Sequence, residues 1–191
     1  CEKDKPYFVL DTHAGIGIYD LHNSLAKKTL EQDSGIQKLI EKKLDAEFSA
    51  YAKQLSGIAS GTTNLYPGSP MIIQDFLRAN DRLFAAELHS DDFAVLQENF
   101  ATDRRIKTLQ QDGYAALKAL LPPLEKRGLI FIDPPFEQTD EFTQIQSALE
   151  AGLQRFAHGI YAVWFPIKDR HQVVKFYRDV LKLPVTKVLS V

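Results

Sequence analysis

Apolar residues recur along this chain in two alternating patterns: short unbroken runs, and longer stretches in which they are spaced three or four residues apart. The runs are "YFVLD" (7–11), "RLFAAEL" (82–88), "IKTLQ" (106–110), "LIFID" (129–133), "IYAVWF" (160–165) and "VTKVLSV" (185–191). Runs of this length, with little polar alternation, predict strands buried on both faces. Between them, Phe93, Leu96 and Phe100 form one helical stripe, and Val173, Val174, Tyr177, Val180 and Leu181 form another. Strands alternating with helices predict an α/β domain built from βαβ units, its mostly parallel sheet covered by helices on both faces.

One connection breaks this rhythm. About fifty residues separate "DTHAGIG" from a helix expected to start at Ser69 and Pro70, where a βα loop usually has only a few. Ile36, Leu39, Ile40, Leu44, Phe48, Tyr51 and Leu55 trace a helical stripe inside it. The expectation is a single domain over residues 1–191 that carries a small helical insertion at residues 20–66. Ser69 is expected as the N-cap of the returning helix, with Pro70 at its first position, where a missing N–H does no harm.

The chemistry concentrates where strands end. In "LIFIDPPFEQTD" (129–140), Pro134 and Pro135 forbid continuation of a hydrogen-bonded ladder, so Asp133 is left at the strand's carboxyl end. In an open α/β sheet that edge is where ligands bind. "LDTHAGIG" (10–17) puts Gly15 and Gly17 directly after the first strand, allowing close backbone approach to a ligand, although a plain turn has the same composition. The dinucleotide fingerprint G-x-G-x-x-G is incomplete, which disfavours a nicotinamide-dependent oxidoreductase. Glu87 ends the second main strand seventy residues after Gly17 but eighteen after Ser69, so excising the insertion restores the usual spacing between a glycine loop and a ribose-binding acid. Asp112 and Gly113, in "QQDGY", read either as an adenine-amino acceptor or as a common turn dipeptide. His13 with Asp11 and Asp133 is too sparse a set for a zinc site, and no metal is expected.

Composition narrows the setting. With 45% hydrophobic and 25% charged residues, the sequence is that of an ordinary globular domain. One cysteine excludes an internal disulfide framework, no apolar segment reaches the roughly 18 residues that span a bilayer, and a cytoplasmic setting is expected. A net charge of -2 excludes a uniformly basic nucleic-acid coat, leaving local groupings of Arg104, Arg105, Lys107, Lys126, Arg127, Arg155, Lys168 and Arg170.

Together, a glycine loop after strand one, an acid after strand two, Asp-Gly after strand three and Asp-Pro-Pro-Phe after strand four resemble the Rossmann-like class I S-adenosylmethionine-dependent methyltransferases. "DTHAGIG", "YPGSP", "ELH", "DGY", "RGLIFIDPPFE" and "GIYAVWFP" resemble, in order, the RlmJ family. That resemblance implies methylation of adenine N6 in 23S ribosomal RNA, by a cytoplasmic monomer acting on protein-free RNA or an early assembly intermediate. It implies S-adenosyl-L-methionine contacts at His13, Gly15, Gly17, Ser69, Glu87, Asp112 and Gly113, and catalysis by Asp133, Pro134 and Phe136. It also implies a preceding segment with a His-Ala-Gly-Asn-His motif and further chain completing the sheet, so the sequence reads as incomplete at both ends. The same motifs leave open a DNA adenine-N6 or cytosine-N4 methyltransferase, and a non-catalytic nucleotide- or RNA-binding module.

Overall fold

The computed structural model describes residues 5–20, 51–53, 55–56 and 65–190. Five strands, β1 (Phe8–Asp11), β4 (Arg82–Glu87), β5 (Ile106–Gln110), β6 (Gly128–Ile132) and β7 (Ile160–Val163), form one sheet in the order β5-β4-β1-β6-β7. Every pairing in it is parallel. The strands therefore run outward from β1 in both directions along the sequence, and the order reverses between β1 and β6. A crevice opens at such a reversal, beyond the carboxyl ends of the strands.

Strand side chains alternate between two apolar cores. Val9, Leu83 and Ala85 pack with Leu77, Leu96 and Phe100, under α1 (Ser69–Phe76) and α2 (Ser90–Phe100). Leu10, Phe84, Ala86, Ile130 and Ile132 pack on the opposite face against α3 (Gly113–Leu120), α4 (Glu141–Arg155) and α5 (Arg170–Val180). Leu10, Ile130 and Ile132 are fully buried, and each such side chain contributes roughly 1.5–3 kcal/mol of transfer free energy. Ion pairs tie down the edge opposite the crevice, among them Arg82, which grips Glu125 bidentately at 2.6 and 2.8 Å, and Arg78, which grips Asp81, itself also accepting from the Tyr7 N–H.

The expected insertion is closed at its base by an antiparallel ribbon, β2 (Ile18–Asp20) with β3 (Leu65–Pro67), which the apolar pattern had not announced. Residues 51–53 and 55–56 are helical and Leu55 is buried, whereas the stripe from Ile36 to Phe48 lies outside the described residues.

Three expectations need correction. Residues 185–190 form no strand: β7 ends the sheet on that side among the described residues, and a strand without a ladder partner has nowhere to place its backbone hydrogen bonds. The second helical stripe is rotated, since Val173 and Phe176 are the buried positions of α5, and Val174 and Leu181 are exposed. Gly68, not Ser69, is the N-cap of α1; Ser69 is its first residue, and its hydroxyl is used elsewhere.

Candidate active site

The carboxyl ends of β1, β4 and β6 bring the sequence-derived residues to one edge. After β1 the chain turns through Gly15 and Gly17 at φ +57° and +77°, the left-handed region where glycine carries no steric penalty. That turn returns Gly15 towards β4, where its N–H donates to Glu87 Oε2 at 3.0 Å, while the His89 N–H donates to Oε1 at 2.8 Å. Glu87 is thus a nearly buried carboxylate oriented by two backbone donors, with lone pairs left over for hydroxyl donors.

His13 is half-buried beside β1. Its Nδ1 lies 2.8 Å from the Thr12 hydroxyl, which itself donates to the Phe131 carbonyl at 3.0 Å. A hydroxyl has a single proton, so Nδ1 carries the ring proton and Nε2 presents a lone pair. Burial lowers the ring's pKa to about 4, which keeps it neutral under physiological conditions. The ring stands edge-on to Tyr114, whose hydroxyl donates to the buried Glu141 at 2.6 Å.

The Asp112 side chain caps α3 by accepting from the Ala115 N–H at 2.7 Å. One carboxylate oxygen remains uncommitted by that cap. Gly113 starts α3 so close to β1 that an added Cβ would lie 2.0 Å from the Thr12 carbonyl oxygen.

Asp133 follows β6 on the other side of the crevice. Its carboxylate makes no hydrogen bond or ion pair among the described residues, and desolvation raises its pKa above the usual range. Pro134 behind it is fully buried, which fixes the backbone that carries the carboxylate. Phe136 adopts φ +54°, a conformation that costs a non-glycine residue roughly 1–3 kcal/mol. Edge contacts to Phe142 at 5.2 Å and Trp164 at 6.3 Å hold it there.

Asp11, considered from sequence only as part of an inadequate metal set, is the residue that binds the site together. It is fully buried at the end of β1, accepts from the Ser69 hydroxyl at 2.6 Å and accepts from the His13 N–H at 3.3 Å. Ser69 therefore supports the end of β1 instead of capping a helix. Thr12, Tyr114, Glu141 and Trp164 are further members that sequence reasoning passed over. For Asp11 a signal existed: "YFVLD" and "LIFID" both end an apolar run in aspartate.

Desolvation, with smaller contributions from Asp133 and Glu87, pushes the Asp11 carboxyl up from 3.8 to about 7. The folded state then holds a proton that an unfolded chain releases near pH 4, so stability falls as pH rises through the window from about 4 to 7. The full effect of that shift is on the order of 4 kcal/mol. Asp11→Asn keeps the shape and removes the titration. Urea midpoints should show the variant gaining a few kcal/mol relative to the parent between pH 4.5 and pH 8; equal pH slopes would contradict this account.

The chain matches known proteins over nearly its whole length. Residues 4–191 fit the family described as "Ribosomal RNA large subunit methyltransferase D, RlmJ". The chain belongs to the RlmJ family. Ribosomal RNA large subunit methyltransferase J of Escherichia coli K12 is 40% identical over all of this chain and 69% of its own length. The Haemophilus influenzae protein of the same name is 36% identical over 99% of this chain and 68% of its length. A solved structure, protein LPL1258 from Legionella pneumophila, superposes with a TM-score of 0.83 at 35% identity, covering 95% of this chain and 67% of that one. In this RlmJ family member the sheet order matches the expected Rossmann-like fold. No described helix is long and apolar enough to cross a membrane.

Proposed function

We propose that this protein transfers a methyl group from S-adenosylmethionine to the N6 amine of an adenine in 23S ribosomal RNA. The observation that carries the reading is the Asp133 carboxylate, rigidly mounted and unpartnered among the described residues at the end of β6, across the crevice from the loop that holds His13 and Gly15 and from Glu87 at the end of β4.

The residues present suit such a cofactor. Asp11, Glu87 and Asp133 converge on one edge and interact unfavourably enough to help raise the Asp11 pKa, so a ligand bearing positive charge relieves them. Glu87 has acceptor capacity for ribose hydroxyls, Gly15 and Gly17 allow close backbone approach, and the free oxygen of Asp112 can accept from an adenine amine. When bound, the cofactor supplies an electrophilic methyl on a sulfonium.

The chain must make a poor nucleophile adequate. The lone pair of an exocyclic adenine amine is delocalised into the ring. The Asp133 carboxylate and the Pro134 carbonyl offer two acceptors on a stiff support, one for each amine hydrogen, which favours a pyramidal nitrogen with its lone pair turned out of the ring plane. Phe136 supplies a face on which the extruded base stacks. Methylation leaves the nitrogen carrying one proton too many, and Asp133, with its raised pKa, is a suitable first acceptor before the proton passes to water.

The test is to incubate the protein with methyl-labelled S-adenosylmethionine and, separately, protein-free unmodified 23S RNA and duplex DNA, then identify the labelled nucleoside. Label in N6-methyladenosine from RNA alone is expected. Label only in DNA would overturn the substrate, and absence of label despite cofactor binding would overturn catalysis.

A further inference from the structure

We infer that the segment from Trp164 to His171, which joins β7 to α5 and includes the first two residues of that helix, grips the RNA strand around the target adenine. This rests on the methyltransferase reading above and adds to it the surface that binds the polymer.

The pocket mouth poses an electrostatic problem. Glu87 and Asp133 give the edge a negative character, yet RNA must approach it carrying one negative charge per phosphate. Cations are needed at that edge, and the fold is selective about where it puts them. Arg104 and Arg105 precede β5, and Lys126 and Arg127 precede β6, so all four lie at the amino ends of the strands, away from the crevice. Arg105 is held by Asp103, Arg82 by Glu125, and Arg127 lies over the Tyr7 ring. Lys107 leans over Phe84, and Arg155 donates to the carbonyls of Lys118 and Leu121. Of the basic residues singled out from the sequence, only Lys168 and Arg170 follow a strand and so stand at the catalytic edge. Both are exposed, and neither makes an ion pair among the described residues. Asp169 between them uses its carboxylate to cap α5, accepting from the His171 N–H at 2.8 Å.

The same segment begins with an aromatic plate. The Trp164 N–H donates to the Ile132 carbonyl at 2.9 Å, which pins Trp164 beside the residue that precedes Asp133. Its ring meets Phe136 edge-on at 6.3 Å and is still 53% exposed, with Ile167, 73% exposed, farther along. An indole held at the mouth of a nucleobase pocket and open to solvent is a stacking surface for a base flanking the one extruded. Stacking plus phosphate neutralisation is the usual chemistry of single-stranded RNA binding.

The proposal is tested with the full chain and protein-free unmodified 23S RNA. Binding is measured across a salt series for the parent, for Lys168→Ala with Arg170→Ala, and for Arg104→Ala with Lys107→Ala as the amino-edge control. Removing two phosphate contacts should flatten the plot of log affinity against log salt by roughly 1.4, at about 0.7 per contact, with the control unchanged. Trp164→Ala should weaken RNA binding by roughly tenfold, the scale of one base–aromatic stack, and Trp164→Phe should recover most of it. Trp164 is also the single tryptophan of the sequence, so its emission should be quenched as RNA is added. Cofactor affinity, followed by calorimetry, should be the same in the Lys168/Arg170 variant and in the amino-edge control as in the parent. An unaltered salt slope in the Lys168/Arg170 variant, or a loss of affinity confined to the amino-edge control, overturns the inference while methylation by the parent continues. A parent that neither binds nor methylates RNA overturns the functional reading and the inference together.

Discussion

Asp133→Ala is expected to slow methyl transfer by about 10²–10³-fold or more, while cofactor affinity and folding stability stay close to those of the parent. Loss of one preorganised polar partner at a reacting centre has effects of this size. The structure predicts the pattern across the three readouts as well as the rate. Asp133 caps no helix, pairs with no cation and accepts no hydrogen bond among the described residues, so truncation breaks no network. Removing a partly desolvated charge should leave the urea midpoint unchanged or slightly raised. Asp133→Asn, which keeps an acceptor oxygen and loses the charge, should fall between parent and alanine variant. Single-turnover methylation, calorimetric cofactor binding and urea unfolding on the same preparations check this. An alanine variant within tenfold of the parent rate would remove Asp133 from the reaction, and a destabilised one would make it a structural residue.

What could be read from the sequence follows from the kind of signal each feature emits. The parallel sheet was legible because Phe8–Asp11 and Arg82–Glu87 are buried nearly throughout and no residue of Gly128–Ile132 is exposed, and that burial imposes apolar runs. The edge residues were legible because proline and glycine mark where strands stop. The β2–β3 ribbon was not, since three-residue strands that are half exposed leave no run to recognise. The rotation of α5 was missed because Phe176, which packs against Phe142 and Phe165, lies between positions that also fit a helical spacing. Asp11 and Ser69 illustrate a different limit. A serine before a proline looks like a helix cap locally, and only the approach of α1 to β1, fifty-eight positions away in sequence, reveals that its hydroxyl serves a buried carboxylate.

Gly113→Ala is expected to be the most disruptive single methyl group that can be added near the site, destabilising the protein by about 3 kcal/mol or more and abolishing cofactor binding. The "DG" dipeptide suggests conformational freedom as the reason for a glycine, but the reason here is space. An alanine Cβ would meet the Thr12 carbonyl oxygen at 2.0 Å and the Thr12 carbonyl carbon at 2.7 Å. Both are backbone atoms at the end of a paired strand, since Thr12 N–H is bonded to the Phe131 carbonyl, so no rotamer change relieves the clash. Either α3 retreats from β1, pulling the fully buried Ala116 and Leu117 out of their core, or β1 shifts and carries His13 and Asp11 with it. Overpacking alone typically costs 1–3 kcal/mol, and opening a packed helix face adds to that. Asp112→Ala provides the contrast, because it removes a cap worth about 1 kcal/mol without moving the helix. It should fold and lose only part of the cofactor affinity. Equal urea midpoints for the parent and the Gly113→Ala variant would mean that β1 and α3 can separate freely, and the seat beneath His13 would then be softer than the packing at Thr12 implies.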